Sequence, residues 1–255
     1  MRLFQEERQN LITQFISDKG RVTIHSLAKE LNVSIPTIRR DLTELNRKGM
    51  IRRSHGGAIA KDRVLEEISF EKRLKKFHQE KIQIAKYAVS MIKEKDVIIL
   101  DTGTTNYWIA SLLKNRKNIT VITNSLKAAV ELSSNKDIRH ILIGGYILPE
   151  TFSIYGPSAV EDIKKFNADK VFLGTTGIHW EKGLTEIYGE EASMKKIFLE
   201  ISREKIVVTD HSKLGIVSFA HVAPLSKIDM VISDSGVDAK IKRKFENTGP
   251  KFVYL

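Results

Sequence analysis

Six short runs of aliphatic, mostly β-branched residues alternate with helical stretches, and this alternation limits the possible folds more than any other feature. The runs are VIIL (97–100), ITVIT (119–123), ILIGG (141–145), KVFLG (170–174), KIVVT (205–209) and DMVIS (229–233). Continuously apolar strands separated by helices are typical of a mostly parallel sheet whose two faces are covered by helices. We therefore predict an α/β domain over residues 79–255, with its ligand site beyond the carboxyl ends of the strands.

Glycines and small polar residues follow several of these runs. DTGTTN leads from the first run into a helix from about Tyr107, and NSL follows the second run. Hydroxyls, glycine backbone and a helix N-terminus together form an anion cradle. Asp210 could accept from sugar hydroxyls, and Lys213 could bind a phosphate. One such turn is usually only structural, but several at one sheet edge favour a ligand site. The candidate ligand-binding residues are Asp101, Thr102, Gly103, Thr104, Thr105, Asn124, Ser125, Gly144, Gly145, Gly174, Thr175, Thr176, Asp210 and Lys213.

The stretch VSIPTIRRDL, residues 33–42, predicts a different kind of site. Ser34 is a good N-cap, and Pro36 is tolerated in a first helical turn. At about 100° per residue, Ile35, Ile38, Leu42 and Leu45 gather on one side, while Arg40 points away from them. An Arg-Arg pair on such a helix usually belongs to a solvated surface. The segments before and after the helix must therefore decide whether this pair has a function.

The neighbouring segments favour a winged helix-turn-helix over residues 1–60. ERQNLITQFISDKG and RVTIHSLAKELNV predict two helices before the arginine-bearing one, which would then read the major groove. GMIRRSHGGAIA predicts a hairpin turning at Gly56-Gly57, a wing whose arginines could reach phosphates or the minor groove. The candidate DNA-binding residues are Ser34, Pro36, Thr37, Arg39, Arg40, Thr43, Arg47, Arg52, Arg53 and His55.

Charge and composition fit this division. The net charge is +11, and residues 1–60 hold 11 Lys/Arg against 6 Asp/Glu, so positive charge is densest near the predicted DNA-binding domain. Residues 61–78 are charge-rich and predict a linker. The chain contains no cysteine, which excludes disulfides and Cys-based zinc sites. MRLFQEERQN has no apolar signal-peptide core, and no apolar run approaches the ~20 residues that span a bilayer. We expect a cytoplasmic protein without a membrane partner.

The segment VTIHSLAKELNVSIPTIRRDLTELNRKGMIRRSHGGA, residues 22–58, resembles the DNA-binding domain of the DeoR family of bacterial transcription regulators. TIRRDL and HGGA are highly specific to that family, and the resemblance continues in the same order to about residue 234. The family consists mostly of repressors of sugar-catabolism operons that phosphorylated sugars release from DNA. The resemblance therefore implies a double-stranded operator and a phosphorylated sugar as partners.

DTGTT, TNS, GG, FLGTTG, GLT and DHSK match the sensor domain of this family, which is similar in fold to ribose-5-phosphate isomerase. The isomerases place an acidic pair after the strand that corresponds to Val171–Leu173, where this chain has Gly174-Thr175-Thr176. Without a carboxylate in that loop, the resemblance implies binding without turnover. The loop GLTEIYGEEA (183–192) varies in the family, and we expect it to help select the ligand.

Two hypotheses from different classes remain. The first is a ligand-responsive DNA-binding repressor, which the helix-turn-helix favours. The second is a sugar-phosphate isomerase-like enzyme with a DNA-binding appendage, with Asp101, Asp210, Glu190 and Lys213 as its acid/base groups. We expect no enzyme activity, no cofactor and no metal, since the seven histidines show no ligand spacing. Because one recognition helix reads few base pairs, we expect a homo-oligomer, a dimer or a tetramer.

Overall fold

A computed structural model divides the chain into two compact units, Met1–Glu67 and Ile68–Leu255. It describes residues 5–19, 21–48, 50–54, 57–60 and 69–255. Residues 61–68 of the predicted linker lie outside the described residues. Residues 69–78, also predicted as linker, contain a short helix whose first residue, Phe70, is buried within the second unit.

The first unit packs helices against a small antiparallel sheet. In chain order its elements are α1 (Gln5–Lys19), β1 (Arg21–Thr23), α2 (Ile24–Glu30), α3 (Ile35–Arg47), β2 (Ile51–Ser54) and β3 (Gly57–Ala60). Within the described residues the strands pair in the order β1-β3-β2. Helix α3 follows α2 through a tight turn, and the β2–β3 hairpin follows α3. This arrangement confirms the predicted winged helix-turn-helix.

Local interactions fix the start of α2 and both ends of the turn between α2 and α3. Thr23 and Ser26 form a reciprocal capping box at the start of α2, with N···O distances of 3.0 and 3.1 Å. Asn32 then adopts a left-handed conformation with φ 50°, which lets the chain leave α2 sharply. Ser34 begins the next helix by accepting a hydrogen bond from the Thr37 N–H at 3.3 Å.

Gly57 has a structural role that differs from the predicted turn position. It is the first residue of β3 and pairs with Ser54 of β2 and with Thr23 of β1. A Cβ at this position would lie 2.0 Å from the Val22 carbonyl oxygen, so only glycine lets the strands approach. Residues 55 and 56, which include Gly56 of the predicted turn, lie outside the described part of the chain.

The second unit alternates strands and helices, as predicted. In chain order its elements are α4 (Phe70–Lys75), α5 (His78–Ser90), β4 (Val97–Leu100), α6 (Thr104–Leu112), β5 (Thr120–Thr123), α7 (Leu126–Leu132), β6 (Arg139–Leu142), β7 (Tyr146–Leu148), β8 (Ser153–Tyr155), α8 (Pro157–Ile163), β9 (Ala168–Leu173), β10 (Gly177–His179), β11 (Gly183–Glu186), α9 (Gly189–Ile201), β12 (Ser202–Val208), β13 (Ala220–Ala223), β14 (Met230–Ser233), α10 (Ala239–Phe245) and β15 (Lys251–Tyr254).

Residues 69–255 contain a seven-stranded parallel sheet in the order β15-β14-β12-β9-β4-β5-β6. All six predicted runs contribute a strand, but β6 begins and ends earlier than predicted, which leaves Gly144 and Gly145 in the following turn. The seventh strand, β15, was not predicted. Smaller pairings, β7-β8 and β10-β11-β13, add antiparallel layers that the apolar runs did not indicate.

Alternate residues of the central strands enter two hydrophobic cores. Ile98 and Leu100 of β4 pack with α5, α6 and α7 on one face, while Ile99 packs with α8 and α9 on the other. Burial on both faces explains why the strands are apolar throughout. The chain runs outward from β4 through β5 to β6, and then returns to β9 on the other side of β4. The carboxyl ends of β4 and β9 therefore form the topological switch point, where open α/β sheets bind ligands.

Among the described residues, no helix is both long and apolar enough to cross a bilayer.

Candidate functional site

The predicted arginines lie on the exposed face of α3. This face, with Arg39, Arg40, Thr43, Glu44 and Arg47, lines a shallow surface depression. The opposite face of the helix is buried in the core of the first unit. Planar guanidinium groups match the edge of guanine and the phosphate oxygens. The arrangement is therefore chemically suited to a major groove.

Two other predicted residues close the N-terminal end of this face. The hydroxyl oxygens of Ser34 and Thr37 are 2.8 Å apart, and Ser34 also caps the helix. Pro36 is exposed beside them. The N-terminal end of a recognition helix is the part that approaches base edges, so these short side chains lie where a groove would meet the helix.

A buried ion pair that sequence analysis missed attaches α3 to α1. Arg8 of α1 donates to Asp41 of α3 through two nitrogens, at 2.5 and 3.1 Å. The side chain of Asp41 is 1 % exposed, and that of Arg8 is 12 % exposed. The pair raises the pKa of the Arg8 guanidinium, chiefly through the hydrogen bond. Periodicity gave a signal, because Asp41 falls near Leu45 on the packing side of the helix.

Glu44 extends this attachment along the same two helices. One of its carboxylate oxygens accepts hydrogen bonds from the amides of Gln5 and Gln9 at 2.6 and 3.1 Å. Lys48 lies 3.3 Å from its other oxygen. The hydrogen bonds, from Gln9 first, lower the pKa of Glu44. The Glu44 carboxylate therefore stays ionised beside the arginines of α3. Its oxygens are bound by Gln5 and Gln9 of α1 and by Lys48.

Arg52 and Arg53 lie in β2, where their backbones pair with Ile59 and Ala58 of β3. His55 lies outside the described residues. The predicted contacts of these three residues with DNA remain predictions.

In the second unit, Asp101 and Gly174 meet at the switch point. Asp101 follows β4, and one of its carboxylate oxygens accepts a hydrogen bond from the Gly174 N–H, which follows β9, at 3.0 Å. A Cβ on Gly174 would lie 2.7 Å from the Thr102 carbonyl oxygen, so a larger residue would push the two loops apart. The structure thus brings together the two predicted loops that flank the point where the strand order reverses.

The N-terminus of α6 faces open space. Gly103 is its N-cap with φ 122°, and no side chain caps the first N–H groups. A Cβ at Gly103 would meet no atom within 4 Å. Thr104 and Thr105 are buried in the first turn. Uncapped N–H groups and the positive end of the helix dipole are the components of an anion cradle.

The other predicted loops contribute mainly to the framework. Ser125 caps α7 by accepting from the Ala128 N–H at 3.2 Å, and Asn124 donates to the Ile154 carbonyl at 3.4 Å. Gly144 and Gly145 lie exposed between β6 and β7.

The hydroxyls of Thr175 and Thr176 are already engaged with protein groups. Thr175 donates to the Gly177 and Thr185 carbonyls at 2.8 and 3.1 Å. Thr176 lies 2.9 Å from a carboxylate oxygen of Glu186 and 3.2 Å from the Ser218 hydroxyl. These two residues therefore position the β10–β11 segment beside the switch point.

A group of cations gathers beside the loop 209–213. Lys81 of α5 is buried and donates to the carbonyls of Arg73 and Lys76 at 2.5 and 2.6 Å. Its ammonium lies 3.9 Å from Asp210. Burial lowers the pKa of Lys81 to about 8. The negative charge of Asp210 opposes this shift, and the positive charge of Lys213 adds to it.

Burial also lowers the pKa of Lys213. The nearby Asp210 carboxylate opposes this shift, whereas the positive charges of Arg73 and Lys76 add to it. Asp210 in turn accepts from the Ser212 N–H and hydroxyl at 3.1 and 2.5 Å, which orders the loop. Lys81 and Lys213 thus share a nearby carboxylate and repel each other, so this region is electropositive. Sequence analysis found Lys213 but missed Lys81, because a lysine within an amphipathic helix looks like a solvated residue.

On the other side of the switch point, buried carboxylates surround one lysine. Lys195 of α9 forms an ion pair with Asp101 and lies 3.4 Å from Glu186. Glu191 is also buried nearby. Burial raises the pKa of Asp101, against the opposing effect of Lys195. It also raises the pKa of Glu186 to about 7. Of this cluster, sequence analysis singled out only Asp101.

The described residues contain no group of three or more His, Asp or Glu side chains that could hold a metal ion.

Comparison with known proteins adds independent findings. The family model described as the DeoR C terminal sensor domain matches residues 76–235, and that of the DeoR-like helix-turn-helix domain matches residues 8–64. The regulator GolR of Listeria innocua is 33% identical over 247 residues, which cover 97% of each chain. The repressor GlcR of Bacillus subtilis is 37% identical over 232 residues, covering 91% of this chain and 89% of GlcR.

A third relative, the transcriptional repressor AccR of Agrobacterium fabrum, is 33% identical and covers 97% of this chain and 96% of its own. Among solved structures, ribose 5-phosphate isomerase A of Methanocaldococcus jannaschii matches 54% of each chain, with 22% identity and a TM-score of 0.40. Together, the family models and relatives confirm the predicted family resemblance.

The Arg8–Asp41 pair generates a stability prediction. We expect Arg8→Ala to lower the free energy of unfolding of the first unit by about 3–5 kcal/mol, because the buried carboxylate would lose its partner. The apolar double replacement Arg8→Met/Asp41→Leu should recover most of this loss. Urea unfolding of the full chain measures both variants.

Arg47→Ala provides the control, since it removes an exposed arginine of the same unit and should cost less than about 0.5 kcal/mol. Equal losses in Arg8→Ala and Arg47→Ala would show that the pair does not hold α1 to α3.

Proposed function

The chain belongs to the DeoR family of transcriptional regulators, and we propose that it represses a sugar-catabolism operon and leaves its operator when a phosphorylated sugar binds the second unit. It is a DNA-binding regulator and not an enzyme. Two observations together carry the proposal: an exposed arginine face on α3, and a group of cations beside the loop 209–213 of the second unit.

For DNA binding, we propose that Arg40 and Arg39 contact base edges or phosphates in the major groove. Arg52 and Arg53 of the hairpin add phosphate or minor-groove contacts. The attachment of α3 to α1 through Asp41 supports this role, because a helix that must enter a groove needs a fixed orientation. Phosphate contacts supply affinity, and contacts to base edges supply sequence preference.

For the effector, we propose that the phosphate lies at the α6 N-terminus, near Lys213 and Lys81. The uncapped N–H groups after Gly103 would donate to phosphate oxygens, while the lysines would neutralise the dianion. Entry of an anion would also relieve the repulsion between the two lysines. The effector releases the operator if it binds the DNA-free form more tightly than the DNA-bound form.

The carboxylates of the alternative enzyme hypothesis have other partners or positions. Asp101 accepts from Gly174 and pairs with Lys195. Asp210 orders its own loop, and Glu190 is exposed at the start of α9. Together with the regulators found as relatives, these positions favour binding over proton transfer.

We expect the operator to contain repeated half-sites separated by whole helical turns of about 10 bp, because one α3 reads few base pairs. The protein would then bind as a dimer or a larger homo-oligomer. Footprinting combined with sedimentation of the complex measures both properties. Full-affinity binding of a monomer to a single half-site would refute the proposed pairing.

Arg40→Ala should weaken operator binding by about 1–3 kcal/mol and relax base preference at one position, because Arg40 faces away from the core of the unit. Arg52→Ala should instead weaken binding to all sequences and reduce the salt dependence. Competition binding at two salt concentrations separates the two effects. If Arg40→Ala lost specific and non-specific affinity equally, α3 would not read bases through this residue.

Gly103→Asp should give a repressor that binds its operator but is not released by the sugar phosphate. The added carboxylate would repel the phosphate at the positive end of α6. Lys213→Ala should require more effector than wild type but still respond, since the backbone donors remain. The measurement titrates effector into a preformed protein–operator complex and follows dissociation.

Gly103→Ala is the matched control, because it introduces the same strain at φ 122° without the charge. It should respond to effector better than Gly103→Asp, and the unphosphorylated sugar should release none of these proteins at comparable concentration. Release of a folded Gly103→Asp at the wild-type effector concentration would place the phosphate elsewhere.

A further inference from the structure

Buried hydrogen-bond acceptors without donors form a wall beside the switch point. One oxygen of each of the side chains Asp101, Asn106, Glu186 and Glu191 is inaccessible to solvent and has no hydrogen-bond donor in the described part of the chain. Asp101 and Asn106 lie together around Gly174, since a Cβ there would be 3.7 Å from Asp101 Oδ2 and 3.8 Å from Asn106 Nδ2. Buried acceptors left unpaired are costly, so a ligand that donates hydrogen bonds would stabilise this wall.

Three buried carboxyl groups of the wall share one lysine. Asp101, Glu186 and Glu191 contribute the carboxyl groups, and Lys195 contributes one ammonium to the cluster. Neutral hydroxyls would donate to the acceptors but would not stabilise the ionised form of the carboxyl groups. An ammonium group supplies up to three donors and a compensating charge.

Glu186 connects this wall to the loop that follows β9. Its Oε2 lies 2.9 Å from the Thr176 hydroxyl, and its Oε1 lies 3.4 Å from the Lys195 ammonium without a hydrogen bond. Glu186 and Lys213 carry opposite charges and attract each other, although burial keeps the pKa of Lys213 below its ordinary value. A ligand that binds both residues would present an anionic group to Lys213 and a cationic group to Glu186.

We infer that Glu186 is a specificity-determining residue that binds the ammonium group of the effector, so that the effector class is an amino-sugar phosphate. The inference rests on the proposed function, because it assigns the second end of the same ligand. The phosphate lies toward Lys213, and the amino group lies against the carboxyl groups. The loop 183–192 thereby selects the ligand through Glu186.

Matched pairs of sugar phosphates test this inference. Glucosamine 6-phosphate with glucose 6-phosphate, and galactosamine 6-phosphate with galactose 6-phosphate, each differ by an amine in place of a hydroxyl. We expect the amino compound of at least one pair to dissociate the protein–operator complex at about 10–100-fold lower concentration, as for a hydrogen bond to a charged group. The N-acetylated compound keeps an N–H but loses the charge, and it should lose this advantage.

Glu186→Gln should remove the preference for the amine, while Glu190→Gln should retain it. Glu190 is the exposed residue of the same loop and therefore controls for a change of net charge. Lys195 keeps Asp101 as its partner in Glu186→Gln, and a melting curve checks that the variant folds. The wild-type comparison within each pair remains decisive if the variant does not fold.

Two results would overturn the inference alone: neutral sugar phosphates that act as well as their amino partners, or a folded Glu186→Gln that keeps the preference. If no phosphorylated sugar of either kind dissociated the operator complex or raised the melting temperature, the proposed effector function would fail as well.

Discussion

One buried lysine, Lys195, holds the carboxyl groups at the switch point of the second unit together. Lys195 reaches from α9 to Asp101, and Asp101 in turn binds the N–H that follows the neighbouring strand. Without this ammonium, several carboxylates would share a site with almost no access to water. Removing one partner of such a buried group is strongly destabilising, so the arrangement of the two loops at the switch point depends on this contact.

In the first unit, too, a buried ion pair joins two separate elements. A bidentate pair between Arg8 and Asp41 fixes α3 from behind, while the arginines in front remain exposed. The buried apolar stripe of Ile38, Leu42 and Leu45 keeps this face of the helix toward the core, and the ion pair adds a directional contact beside it. The directional hydrogen bonds between Arg8 and Asp41 determine the orientation of α3, and therefore the direction in which its exposed arginines point.

The sequence allowed the architecture to be predicted better than the electrostatics of the sites. Strands such as VIIL are buried on both faces, and that environment leaves a direct composition signal. The strand β15 is only half-buried at a sheet edge and begins with a lysine, so its signal was weak. The turn at Gly103 and the helix cap at Ser34 could also be predicted, since both depend on neighbours in the chain.

Lys195, Glu186 and Arg8 could not be recognised in the same way. A charged residue in an amphipathic segment has the same local pattern whether it is solvated or paired with a residue from a distant element. Only tertiary contacts decide between these states. Asp41 is an intermediate case, because its angle on the helix placed it beside the apolar stripe and so indicated burial, although not its partner.

The strand order also determines when each site can exist during folding. In the first unit, Arg8 and Asp41 are separated by 33 positions, whereas Asp101 must meet Gly174 and Lys195 across 73 and 94 positions. Contacts between distant positions close long loops and slow the folding of a domain. Helix α3 and its attachment to α1 can therefore form before the long-range contacts at the switch point, so a partly folded chain can present its arginine face while the second unit is still incomplete.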